Sequence, residues 1–186
     1  MKLASLKSSK RDGELILVSS DLRRAVKASH MIPTLREAIE NWNIVSSKLQ
    51  ALSDELNAGT EKGFELNTQE LAAPLPRAFQ WCDGSAYLHH AELVRKARGA
   101  ELTPDLYKEP MLYQGGSDYF LGPNDNIEAI SEAHGIDLEA EVAVVIDDVP
   151  MAASIDEAKA HIKLIMLVIP QYSQVPSPPT DSNVPD

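Results

Sequence analysis

Leu138-Glu139-Ala140-Glu141-Val142-Ala143-Val144-Val145-Ile146 is the strongest strand signal in the chain. β-Branched residues crowd its second half, as a buried pleated surface favours. Its first half carries two glutamates two residues apart. Side chains at i and i+2 of a strand share a face, with Cβ atoms roughly 7 Å apart. Two carboxylates held there repel each other and lose hydration. A hard divalent cation between them would relieve both costs, and oxygen ligands suit Mg²⁺, Ca²⁺ or Mn²⁺. The plainer reading is a strand start still in water, with both glutamates solvated.

Working outward, Ser154 caps a helix from about Ile155 to His161, and Ile162 to Ile169 reads as a second buried strand. Upstream, Met111 to Pro123 has turn and loop chemistry around Gly115-Gly116, Ala86 to Ala97 reads as helix, and Arg77 to Asp83 as a strand. Further upstream, Lys2 to Leu6 and Glu14 to Ser19 read as strands joined by a turn at Arg11-Asp12-Gly13, and Asp21 to Ala28 extends that sheet. Thr34 and Glu37 have capping-box spacing at the start of a helix that Gly59 ends. The fold class is α+β. Residues 1–73 form a small β-plus-helix module, and a link at Ala72-Ala73-Pro74-Leu75-Pro76 leads into residues 74–169. Residues 170–186 hold five prolines among Ser, Thr, Asp and Asn, with no Leu, Ile or Phe, and read as a disordered tail.

Composition narrows the partners. Lys and Arg total 17 against 28 Asp and Glu, a net charge of −11. No basic cluster could hold a phosphate backbone, so the reading is no nucleic acid, and the same charge argues against an anionic membrane surface. The N-terminus has no signal-peptide pattern, and the longest apolar run, Leu164 to Pro170, is too short to span a bilayer. Cys82 is the only cysteine, which excludes an internal disulfide and a cysteine zinc site and suits a reducing, cytoplasmic setting.

Two further groups could carry chemistry. His89 and His90 follow Tyr87 on the expected helix, and a histidine there could act as a general base. Only one of two adjacent histidines can face a given site, and the plainer reading is two surface histidines. The loop Tyr113-Gln114-Gly115-Gly116-Ser117 sets two glycines beside hydrogen-bonding groups, but matches no phosphate loop. The plainer reading, a turn between strands, is the favoured one. Nucleophile-elbow and HExxH patterns are absent.

Several long stretches together resemble the fumarylacetoacetate hydrolase family, closest to a bacterial branch with an added N-terminal module. They are MKLASLKSSKRDGELILVSSDL, PRAFQWCDGSAYLHHAELVRKARGAE, MLYQGGSDYFLGPNDNI and GIDLEAEVAVVIDDVPMAASIDEAKAHIKLIMLV. The resemblance implies a mixed, highly twisted β-roll and hydrolysis of a carbon–carbon bond in a β-diketo acid. Fumarylacetoacetate, from aromatic amino-acid and tyrosine degradation, is the example substrate. It implies Mg²⁺ or Ca²⁺, with Mn²⁺ possible, and a homodimer for the full-length family member. Glu139 and Glu141 match the family's Glu-x-Glu metal ligands; Tyr87 and His90 resemble its Tyr-x-x-His segment, whose histidine activates water; Tyr113 resembles a substrate-contacting tyrosine.

Two positions depart from the pattern. Many relatives carry a histidine-orienting glutamate where this chain has Leu93, and Glu92 falls on another helix face. After Val168 relatives continue with Asn-Asp, the Asp a metal ligand, where this chain has Ile169-Pro170. The resemblance therefore implies a catalytic domain shortened at its C-terminal side, doubtful in activity alone. Apolar residues such as Val144, Ile146, Leu164, Met166 and Val168 should then be partly uncovered. The alternatives are a non-catalytic or partner-binding product of such a gene, or a sister hydratase or decarboxylase.

Overall fold

The continuous apolar run at Glu14–Val18 has no polar face, so it needs cover on both sides. A computed structural model, describing residues 1–173 except 98, 102, 117, 119 and 130, provides that cover. Strands β1 (Lys2–Leu6), β2 (Glu14–Val18) and β3 (Arg24–Lys27) form an antiparallel sheet in that order, edged by the two-residue β4 (Phe64–Glu65). On one face Leu15 and Leu17 pack with Leu35, Ala38, Val45, Leu49 and Leu52. On the other, Ile16, Val18 and Ala25 meet Leu6, Leu66 and Leu71. The loop between β1 and β2 closes through Gly13, whose φ is +69°. A Cβ there would sit 2.7 Å from the Leu6 carbonyl oxygen, so only glycine fits.

The single helix expected after Thr34 is two. Helix α1 (Leu35–Glu40) ends at Asn41, and α2 (Trp42–Ala58) runs on to Gly59, left-handed at φ +80°. The cause is local. Asn41 turns its side-chain amide back to donate to the Glu37 carbonyl at 2.9 Å, competing with the helix ladder. Thr34 caps as expected, its hydroxyl oxygen accepting the Glu37 N–H at 3.2 Å.

The link is pinned rather than loose. Ala72 N–H donates to the Ser5 carbonyl, and the Ser5 hydroxyl donates to the Pro74 carbonyl at 2.7 Å. Arg77 then reaches Asp12 with two hydrogen bonds, 2.8 and 2.6 Å, while Arg36 Nε stands 3.4 Å from the same carboxylate. Beyond the link, loop residues tie back to the module: Lys7 pairs with Asp125 at 2.5 Å, and Asn124 donates to the Thr68 carbonyl.

The strand expected at Arg77 to Asp83 is shorter and later: β5 is Cys82–Ser85. It is followed by α3 (Leu88–Ala97) and pairs with β6 (Met111–Gln114), a strand where the sequence reads as loop. The expected strand at 138–146 is interrupted. Strand β7 (Ile136–Leu138) pairs with β10 (Gln171–Ser173), and β8 (Glu141–Ile146) pairs with β9 (Ile162–Val168) after α4 (Ile155–Ala160). The two pairs share one register, in which Pro170 stands opposite Glu139. Glu139 donates its N–H to the Pro170 carbonyl at 3.2 Å, but proline has no N–H to return, so the ladder breaks there. Residues 171–173 are thus strand, not the start of a disordered tail; residues 174–186 lie outside the described residues. Helix α4 carries the expected cap, a complete capping box between Ser154 and Glu157.

The β8–β9 pair is covered on one face only. Val145 is buried and Leu164 packs against the module core. Met166 and Val168 are half-buried beside Leu164, and the bare face of the pair is Val142, Val144 and Ile146 with Ile165 and Leu167, the last 82% exposed. So of the residues expected to be uncovered, Val144 and Ile146 lie on the open face, while the most exposed side chains of β9 have the opposite parity.

This contrast sets the first prediction. Leu49→Ala, at a fully buried position, costs about 3 kcal/mol in a urea melt. Leu167→Ala stays within about 0.5 kcal/mol. Equal effects would overturn the assignment of the core. The second concerns Asp12. Its carboxyl is held below the usual range, chiefly by the Arg77 hydrogen bond and further by the Arg36 charge, against the opposing cost of burial. A lowered native value stabilises the fold above the ordinary aspartate range and loses that stability as pH falls through the native value. Asp12→Asn should therefore melt earlier than the parent at pH 7, and the gap should close in strong acid; a gap that persists there would count against the ion pair.

Candidate functional site

Four side chains from three separate pieces of chain act on one another around Glu141. Burial pushes the Glu141 carboxyl above its ordinary range; the negative charges of Asp83 and Glu139 and a hydrogen bond to Glu139 push it further, and the charge of His90 opposes them. Asp83 sits on β5, His90 on α3, Glu139 in the break before β8, and Glu141 at the first position of β8.

Of the two adjacent histidines, His90 is the one whose charge reaches Glu141. His89 instead stands 3.9 Å from Glu92 and edge-on to Tyr87, with ring centroids 6.5 Å apart. The neighbour of Glu92 is thus His89, and Leu93 is exposed. The carboxylate on which the charge of His90 acts is Glu141, on β8. Tyr87 is largely exposed, and its ring contact is with His89. Tyr113 lies on β6 as the ladder partner of Asp83, and its ring meets Trp81 edge-on at 6.0 Å. The charges of Asp83, Glu139 and His90 thus bear on Glu141, Tyr113 stands opposite Asp83 on the ladder, and the ring contact of Tyr87 is with His89.

Asp83 was not singled out by sequence reasoning. It closes the strand read at 77–83, and its only local signal is its place seven residues before His90. Its link to Glu141 is a tertiary contact that no spacing rule exposes.

The donor chemistry, three carboxylates with an imidazole nearby, fits a hard divalent cation. The unrelieved repulsion at Glu141 is the observation that supports such a fit. Among the described residues no group of three or more His, Cys, Asp or Glu side chains closes tightly enough to hold a metal ion as it stands.

An α+β chain with a small module ahead of paired strands and a carboxylate cluster defines the class: a two-part protein with an acidic site in its second part. Residues 1–77 match the model for fumarylacetoacetase N-terminal domain 2, and residues 80–170 match that for the fumarylacetoacetate (FAA) hydrolase C-terminal domain. The chain belongs to the fumarylacetoacetate hydrolase family. No curated protein matches it. Among the described residues no helix is long and apolar enough to cross a membrane.

The grouping makes a direct prediction. In a carbon-detected NMR titration of the side-chain carboxyls, Asp83→Asn lowers the Glu141 value toward the ordinary glutamate range, because a repelling charge is gone. An unmoved Glu141 would separate Asp83 from the site.

Proposed function

We propose that this chain carries the site of a metal-dependent hydrolase that cleaves a carbon–carbon bond in a β-diketo acid, of which fumarylacetoacetate is the family's example. The observation that carries this reading is that the charges of Asp83, Glu139 and His90 all act on Glu141, in a chain whose residues 80–170 match the FAA hydrolase C-terminal model. Asp83, Glu139 and Glu141 would hold Mg²⁺, Ca²⁺ or Mn²⁺. Such a cation supplies charge to polarise a carbonyl oxygen and to neutralise the enolate that forms as the bond breaks. The chain's own groups do the rest. A ring nitrogen of His90 takes a proton from water, and the hydroxide attacks the carbonyl carbon. The carbon–carbon bond breaks with its electron pair on the departing fragment, which is then protonated. Tyr113, next to Asp83 on the ladder, contacts the ligand, and Tyr87 has at most an indirect part through His89. In this reading the protein works in the cytoplasm on a small diketo acid, and its full-length family counterpart is a homodimer.

The test is Mn²⁺ titration followed by electron paramagnetic resonance. Glu141→Gln should weaken binding by at least about tenfold, since even losing a supporting partner of a ligand costs that much. Equal Mn²⁺ binding by parent and variant sinks the site. Loss of fumarylacetoacetate absorbance with Mg²⁺, abolished in His90→Ala, would extend the reading to catalysis.

A second reading, a partner-binding rather than catalytic chain, is favoured by the bare apolar face of Val142, Val144, Ile165 and Leu167. Sedimentation separates the two: self-association lost in Leu167→Asp supports the partner role of that face, and a monomeric parent removes self-association from consideration.

A further inference from the structure

Trp81 precedes β5 by one residue and lies in none of the core clusters. Its carbonyl accepts the Gly115 N–H at 3.1 Å, extending the β5–β6 ladder by one pair. Its indole N–H donates to the Gly116 carbonyl at 2.5 Å. Its rings meet Tyr113 at 6.0 Å and Phe120 at 6.3 Å, edge-on in both cases. A Cβ built on Gly115 would overlap the indole itself. The side chain therefore lies across the bare backbone of Gly115, a pairing of aromatic and glycine that steadies a flexible strand position.

Strand alternation sets the consequence. Trp81 and Asp83 are two apart and share a face, and their ladder partners Gly115 and Tyr113 share it with them. One indole thus touches the neighbour of Asp83 and fixes the turn that follows it. Tyr113 is 58% exposed, so little burial is gained by holding its ring. The contact sets conformation more than stability.

We propose that Trp81 is a positioning residue of the acidic site, fixing Tyr113 and the Gly115-Gly116 turn beside Asp83. The proposal rests on the reading of Tyr113 as a ligand contact. In this clasp Phe120 also meets the indole edge-on, and its N–H donates to the Pro76 carbonyl at the link.

The test uses the full chain labelled with 3-fluorotyrosine, the Tyr113 resonance being assigned by its loss in Tyr113→Phe. In the parent, that resonance is displaced from free fluorotyrosine by the indole ring current. Trp81→Ala should bring it to the free position, and Trp81→Phe should keep part of the displacement. An unmoved resonance in Trp81→Ala overturns the proposal. A second variant guards against misfolding: Gly115→Ala should disturb the Tyr113 resonance in the parent but add nothing in a Trp81→Ala background, and additive effects would overturn the clasp. The third arm titrates acetopyruvate, a simple β-diketo acid, in the presence of Mg²⁺. Trp81→Ala should bind it about tenfold more weakly, the scale of one or two lost edge-to-face contacts, with urea stability little changed and Trp81→Phe partly restoring affinity. Equal affinity of parent and Trp81→Ala overturns the positioning role. If the parent binds no acetopyruvate, the proposed function falls, and the fluorine resonance alone then decides for or against the clasp.

Discussion

Asp12 holds the two parts of the chain in one arrangement. It sits in the β1–β2 loop, where Gly13 turns the backbone through a conformation closed to other residues. Its carboxylate takes two hydrogen bonds from Arg77, just past the link, and faces Arg36 in the first turn of α1. Arg36 also lies over the Phe79 ring at 5.4 Å, carrying the contact two residues further. A largely buried carboxylate is costly unless paired, and here two guanidiniums offset that cost. The chain after residue 77 enters from this junction, and the ion pair works beside the apolar contact of Leu164 with the module core and the Lys7–Asp125 pair.

That arrangement explains why the parts differ in kind. The module buries both faces of β2, and its fully buried leucines all fall within residues 15–56. The second part is built of two-stranded pairs, and a two-stranded pair is marginal in water without a packed face. The β8–β9 pair acquires one through Val145 and Leu164. Its far end is closed by polar contacts: Asp147 lies 2.5 Å from His161 and 3.1 Å from Lys163, and these two partners lower its carboxyl despite burial. The site residues therefore stand on backbone held by ladders and ion pairs, not by a deep core.

What could be read from the sequence was local. The Thr34 and Ser154 caps each depend on a partner three residues on, and both form. The apolar run at 14–18 declared its burial, and Glu139-x-Glu141 declared a pair of acids. The misreadings share a different cause. The helix break at Asn41 turns on one side-chain amide reaching back to Glu37, against an otherwise helical period. Residues 111–114 look like loop because of the glycines that follow, yet pair with β5 across a long separation in sequence. Asp83 went unnoticed for the same reason: its charge matters only once β5 and β8 come together.

The break opposite Pro170 ties these strands to the chemistry. Had residue 170 carried an N–H, 136–146 and 162–173 could have formed one unbroken antiparallel hairpin, with Glu139 and Glu141 on its pleat some 7 Å apart at Cβ. Proline interrupts that ladder at Glu139 itself, in the gap between two short pairs, and the charge of Glu139 bears on Glu141 at the start of the second. The repulsion concentrated there is a cost the unfolded chain does not bear, because its carboxylates are solvated and apart. A cation that binds only the folded arrangement would remove this cost and add stability by mass action. The feature that weakens the sheet thus falls at one of its acids, Glu139, where the backbone carbonyl of Pro170 still takes a hydrogen bond and its nitrogen returns none.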